Sequence, residues 1–182
     1  MPDDCSTPEP TPATQPKRDP WLDNARFILI ALVIFGHCLE PLLEHSALLW
    51  TAYRFICLFH TPAFALLSGA VASSNADIRL LRKVVFRLLL PYLVFEGLYA
   101  LAAQMPLWPD EGPTGVVTPY WLLWYLLSLA GWRLLLPVFA RLKRPLTFAV
   151  ALAVAVGCAS EVGYYLSLSR TLVFFPMFVL GW

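Results

Sequence analysis

At 182 residues, 59% of them hydrophobic and only 14% charged, the chain is too apolar for an ordinary soluble domain. A mean hydropathy of +0.65 fits a polytopic membrane protein instead. The formal charge of +1 carries little by itself, but the placement of the charges carries more.

Residues 1–20, MPDDCSTPEPTPATQPKRDP, are rich in Pro, Thr and acidic residues and contain no apolar run. They are expected to form a disordered cytoplasmic tail without the apolar core of a cleavable signal peptide. Apolar stretches follow at about 25–43, 47–72, 84–106, 119–140 and 146–166, and a sixth begins near Thr171. Each complete stretch has about the ~20 residues that a helix needs to cross a ~30 Å hydrocarbon layer. None alternates polar and apolar residues as a barrel strand would. The expected fold is therefore all-α, a polytopic transmembrane helical bundle with five complete spans in a domain over residues 21–182. The apolar residues after Arg170 are too few for a full crossing, so the sixth span is expected to be cut off.

Basic residues test this division. Lys17 and Arg18 precede the first span, with Arg26 at its edge. Arg79, Arg82, Lys83 and Arg87 mark the second connection, and Arg141, Lys143 and Arg144 the fourth. The intervening connections EPLLEHSA and PLWPDEGPTGVVTP hold neither Lys nor Arg, so the N-terminus is expected in the cytoplasm. Arg170 is the one exception.

The first span, DNARFILIALVIFGHCLEPLLEH, contains a polar stripe. Arg26 and His37 come round within ~20° of each other, Glu40 lies ~40° to the other side of Arg26, Glu44 nearly eclipses it, and Asp23 is ~60° away. With Arg26 at the inner interface, His37 lies ~16 Å above it, near mid-membrane. Pro41 has no N–H for the carbonyl of His37, so the helix should kink or end there. An intramembrane ionisable group marks a functional site by default, more so with Glu40 one turn from His37. Glu44 and His45 are expected to be solvated at the outer surface.

His60 in the second span and Glu96 in the third each fall ~18 Å from the inner interface, near the depth of His37, which suggests one buried polar centre. Arg79, Arg82, Lys83 and Arg87 spread over ~140° if helical. They are either ordinary positive-inside charge or a cytoplasmic mouth that grips phosphates. Pro91 frees the carbonyl of Arg87 and can open that end of the helix. Tyr120, Trp121, Trp124 and Tyr125 at the start of the fourth span read as an interfacial belt or as a platform that stacks on sugar rings. Of the cysteines, Cys38, Cys57 and Cys158 lie in apolar segments and Cys5 in the tail. Buried thiols are the plain expectation, with no zinc site and no disulfide framework. There is no Gly-rich phosphate loop, no G-x-S-x-G and no H-E-x-x-H.

These motifs carry a resemblance. WLDNARFILIALVIFGH, with Arg26 and His37 in Arg-x10-His spacing, resembles the opening of the acyltransferase family 3 integral-membrane enzymes, particularly the fucose 4-O-acetylase-like branch. FHTPAFALLSG resembles that branch's second motif, with Thr61 and Ala65 in place of bulkier residues. RLLLPYLVFE, WLLWYLLSLAGWRLLLP and FFPMFVLGW follow in the family's order, so the match runs over residues 20–182. The resemblance implies transfer of an acyl group, usually acetyl, from cytoplasmic acyl-CoA to a hydroxyl of a carbohydrate or lipid-linked glycan. It places Arg26 and His37 in the essential pair and His60 as the second-span histidine. Arg79 and Arg82 have the Arg-x2-Arg spacing of its paired arginines. The family's second arginine, however, stands directly before LLxPY, which is Arg87 here, with Val84 in the partner position. The family has about ten spans, more than this chain holds.

The combined expectation is a membrane O-acyltransferase in the cytoplasmic membrane of a prokaryote. Arg26, His37, Glu40, His60 and Glu96 are its catalytic candidates, and Arg79, Arg82 and Arg87 bind the acyl-CoA co-substrate. His37 deprotonates the acceptor or carries the acyl group itself, and Glu40 or Glu96 orients it. The expected partners are the lipid bilayer and a carbohydrate or glycolipid acceptor. Neither a metal nor nucleic acid is expected, and a homo-oligomer stays open. The alternatives are a proton-coupled transporter with a His/Glu relay and a non-catalytic remnant.

Overall fold

The computed structural model describes residues 19–105, 119, 121–158 and 167–182. The tail before Asp19, most of the third connection, Tyr120 and the end of the fifth expected span lie outside the described residues. Among the described residues every regular element is a helix. The six helices are α1 (Pro20–Leu39), α2 (Ala47–Ala70), α3 (Ile78–Ala102), α4 (Trp124–Phe139), α5 (Pro145–Cys158) and α6 (Leu168–Gly181). They match the six expected stretches one for one, with shifted ends.

Proline explains several of those ends. Asp19 caps α1 by accepting the N–H of Trp21, and Pro20 follows at a position where a missing N–H costs nothing. The helix thus begins earlier than residue 25. At the other end the carbonyl of His37 would normally take the N–H of residue 41. That residue is proline, so the carbonyl accepts from Glu40 instead, and the chain tightens into a 3₁₀ turn over Glu40–His45. In α3 a π-turn occupies Val85–Leu89 just before Pro91, with Leu90 N–H reaching back to Val85. Helix starts at Ile78, earlier than the expected stretch near residue 84, so Arg79, Arg82 and Lys83 ride on α3 with Arg87, the helical arrangement.

Two segments, Pro20–Leu43 and Ile78–Ala102, are each long and apolar enough to cross a bilayer. The 24-residue α2 has the length but carries Arg54, His60 and Pro62. α4, α5 and α6 are shorter as described, at 16, 14 and 14 residues. Large apolar side chains point outward along the bundle, with Phe27, Leu48, Phe55 and Leu58 each more than 70% exposed. Such a surface is untenable in water and natural in lipid. The fold is that of a helical membrane protein.

The core gathers around α6. Phe175 and Phe178 are fully buried against Trp132 and Leu136 of α4, Ala65 of α2 and Ala149 of α5. α2, α4 and α5 all pack on α6. A polar lock fastens it to α4. The Thr171 hydroxyl donates to the Ser167 carbonyl at 2.8 Å and accepts from Ser128 at 2.7 Å, while Trp132 Nε1 donates to the Thr171 carbonyl. Thr171→Val keeps the shape but leaves two buried groups without partners. It is expected to cost about 1–3 kcal/mol, read as a lower melting temperature of the detergent-purified protein.

The cysteines depart from expectation. Cys38 and Cys158 are exposed on the outside of their helices, Cys57 is half-buried, and all three are free thiols. A small apolar thiol is as content against lipid as inside a core, so burial does not follow from an apolar segment.

Candidate functional site

α1 and α2 form an antiparallel hairpin whose register is set by three contacts. Tyr53 reaches Glu40, a Cβ on Gly36 would touch Ile56 at 3.5 Å, and Val33 and His60 share one cavity. This register brings the polar stripe of α1 against α2. His37 Nδ1 donates to Glu40 Oε1 at 2.9 Å, and the Tyr53 hydroxyl donates to the same oxygen at 3.0 Å. A carboxylate can only accept, so Nδ1 carries the imidazole proton and Nε2 is the basic nitrogen. The 3₁₀ turn forced by Pro41 places Glu40 for this contact. The side chains of His37 and Glu40 are 26% and 34% exposed, a half-buried pair.

His60 is set differently. Its Nδ1 donates to the Ile56 carbonyl at 2.7 Å, and Nε2 accepts the Thr61 hydroxyl at 3.2 Å. The same argument fixes the tautomer, because an amide carbonyl only accepts. Thr61, in place of a bulkier residue, thereby supplies His60 with a hydroxyl donor. By the hairpin register His60 lies one helical turn, ~6 Å, from the level of His37. His60 opens onto a cavity of about 340 Å³ bounded by Ile30 and Val33 of α1, Phe64 of α2, and Trp124 and Tyr125 of α4. Two of the four aromatics at the start of the fourth stretch thus face the bundle interior. The Tyr125 hydroxyl is fixed by Ser68 at 2.9 Å, and its ring meets Phe64 and Trp132 edge-on. On α1, Arg26, Ile30, Val33 and His37 fall on one face, so the cavity lies between the arginine and the histidine.

Arg26 lies at the far end of α1 beside Val71, just past the end of α2, with Asp23 at 3.7 Å. Glu96 is 3% exposed, one turn from buried Tyr92 on the face of α3 that packs against Leu123 and Leu127. Glu40 is thus a carboxylate on His37, and Glu96 sits at the junction of α3 with α4. Arg79, Arg82, Lys83, Phe86 and Arg87 line a groove of about 380 Å³ along α3. Arg79 contacts Asp77 at 3.6 Å, and the Arg82 guanidinium lies 6.0 Å from the Phe86 ring.

Sequence reasoning passes over two arginines. Arg54 in α2 stacks on Trp50 at 4.3 Å, and Arg133 stands inside apolar α4. Arg133 adjoins Arg79 and Lys83 in a cavity, and its Nε is buried without a hydrogen-bond partner among the described residues. The available signal was a single charge inside an apolar run, which costs too much in lipid to be idle. Arg170, the exception to the charge pattern, lies over the Trp124 ring at 5.3 Å.

Residues 19–182 match the family described as "Acyltransferase domain". The chain is similar to nodulation protein NolL of Mesorhizobium japonicum, 30% identical over 163 residues that take in 79% of this chain and 43% of that protein. It is also similar to NolL of Sinorhizobium fredii, 27% identical over 154 residues, or 76% of this chain and 42% of that one. The chain thus spans less than half the length of these relatives. No solved structure matches.

Proposed function

The chain belongs to the acyltransferase domain family, and from that premise we propose that it forms the catalytic membrane core of an O-acyltransferase. The donor is cytoplasmic acyl-CoA, with acetyl the commonest group, and the acceptor is a hydroxyl of a carbohydrate or lipid-linked glycan. In this reading the protein is multi-pass in the cytoplasmic membrane of a prokaryote, and its N-terminus faces the cytoplasm. Helices α1 to α5 cross, and α6 begins a sixth span. The basic groove of α3 opens on the donor's side, and Arg79, Arg82 and Arg87 receive its phosphates.

The observation that carries this reading is the chain Tyr53–Glu40–His37. A carboxylate behind Nδ1 holds the ring and stabilises the imidazolium that forms when Nε2 takes a proton. His37 Nε2 takes the proton of the acceptor hydroxyl as its oxygen attacks the thioester carbonyl. The C–S bond then breaks, and the imidazolium returns the proton to the leaving thiolate. Arg26, on the cytoplasmic side of the same face, holds the donor. The cavity of His60, Trp124 and Tyr125 takes the acceptor, with aromatic faces suited to sugar rings.

Acyl transfer from labelled acyl-CoA, measured in membranes with and without a protonophore, tests the reading. Product is expected to require the thioester and to form at the same rate without a proton gradient. Glu40→Gln keeps the shape but removes the charge behind His37, and a loss of about 10–100-fold is expected, the value of one charge-assisted hydrogen bond. Unchanged transfer by Glu40→Gln would remove the orienting role. Loss of function on collapsing the gradient alone would favour a transporter.

A further inference from the structure

Arg133 is the charged group whose surroundings most need explaining. It stands in apolar α4 directly after the fully buried Trp132 and three residues before the fully buried Leu136, and is itself half-buried. None of the described ion pairs includes it, and its Nε is buried without a partner among the described residues. A cation in that position is costly unless an anion meets it.

The neighbours of Arg133 are cationic. A cavity of about 250 Å³ is lined by Arg133 of α4, Arg79 and Lys83 of α3, and Ser73, Asn75 and Asp77 of the connection before α3. Asp77 lies 3.6 Å from Arg79, so three cations face one carboxylate across this space. Arg26 of α1 and Arg87 of α3 are also close enough to repel Arg133. Helices pack this way at no gain to themselves, since cations drawn from three helices destabilise one another. Oxygens of a shared anion would reverse the sign, and Arg is the side chain that grips phosphate with paired donors. Ser73 and Asn75 add neutral donors. Arg79, at 86% side-chain exposure, leaves the mouth open to solvent.

We propose that Arg133, together with Arg79 and Lys83, forms a phosphate-binding site in the cavity that shares Arg79 and Lys83 with the α3 groove, and that it takes the phosphates of the nucleotide-bearing acyl donor. This rests on the donor reading above and adds a residue and a location to it. The site's depth fits. Val71 lines the same cavity, eleven residues beyond His60 and fifteen beyond Ile56, the level of His37. The phosphates would then lie ~16 Å from His60 and ~22 Å from His37 along the helix axis. That gap suits a thioester carried on a long flexible arm.

The test uses the detergent-purified protein with desacyl CoA as probe, and vesicles with and without phosphatidylglycerol as the competing source of phosphate. Arg133→Met is expected to weaken CoA binding about tenfold or more, with Arg133→Lys between it and wild type. In membranes Arg133→Met should raise KM for acyl-CoA about tenfold and leave kcat within about threefold, as loss of uniform binding does. Wild-type CoA affinity in Arg133→Met overturns the proposal. So does equal loss in both variants accompanied by a lower melting temperature, which would make Arg133 a packing residue. If only binding to phosphatidylglycerol vesicles changes, the anion is a lipid headgroup and the donor assignment fails. CoA binding that depends on Arg133, in a protein that transfers no acyl group, would keep this site and reject the catalytic reading.

Discussion

His37→Ala is expected to lower acyl transfer by about 10²–10⁴-fold, the range over which a positioned base acts, while the melting temperature stays near wild type. The two histidines of the site are not equivalent, and their partners say why. Behind His37 stands a carboxylate that already accepts a second hydrogen bond, from Tyr53. When Nε2 is protonated, the imidazolium gains an ion pair at 2.9 Å. Behind His60 stands only the Ile56 carbonyl, and its Nε2 is engaged by Thr61. A neutral carbonyl stabilises positive charge less than a carboxylate does, so His37 is the better placed to take a proton, while His60, with both ring nitrogens engaged, is a fixed part of the cavity wall. The measurement is transfer from labelled acyl-CoA at matched protein levels. His60→Ala should cost less than His37→Ala, and the reverse order would exchange their roles. Tyr53→Phe removes one of the two donors on Glu40 and should fall well short of either.

How much of this was legible in the chain differs by residue. The stripe from Arg26 to Glu40 follows from helical spacing. The missing N–H of Pro41 dictates the turn that sets Glu40 beneath His37. Both are local consequences, available before any helix finds a neighbour. The partner helix was not legible. Tyr53 sits in an apolar run with nothing to mark it, and it reaches Glu40 only because Gly36 lets Ile56 come close. Depth counting brought Glu96 to the level of His37, but depth says nothing of azimuth, and its place one turn from Tyr92 on the face of α3 that meets the start of α4 was not legible. Arg133 was hidden for a related reason, because its neighbours Arg79 and Lys83 are about fifty residues away. The basic cluster was visible, but not its helical start, since Asp77 before Ile78 is the only local mark of a helix beginning there.

Gly69→Ala and Gly181→Ala are each expected to cost about 3 kcal/mol or more, the upper end for overpacking, because the added carbon meets backbone that cannot swing aside. A Cβ on Gly69 would run into the Phe178 carbonyl and stand 3.1 Å from the Trp182 nitrogen, and one on Gly181 would run into the carbonyl of Leu66. α2 and α6 therefore cross with their backbones in contact, where fully buried Ala65, four residues before Gly69, completes a face of small residues. Between helices in lipid the hydrophobic effect gives little attraction, so such close approach and the dispersion it allows are what hold the pair. Gly97 supplies the control. It is exposed on α3 with nothing near a would-be Cβ, and Gly97→Ala should be neutral or mildly stabilising, as alanine suits a helix better. The crossing also bears on chemistry, because α2 carries Tyr53 and His60, and Ser68, next to Gly69, holds Tyr125 at the cavity wall. Gly69→Ala should thus reduce the amount of folded protein and its total activity together, with KM for acyl-CoA unchanged in the surviving fraction. His37→Ala should do the opposite, removing activity from a protein that melts normally. If Gly69→Ala melts with wild type, α2 and α6 are not in backbone contact, and the support of the His37 site must come from elsewhere in the bundle.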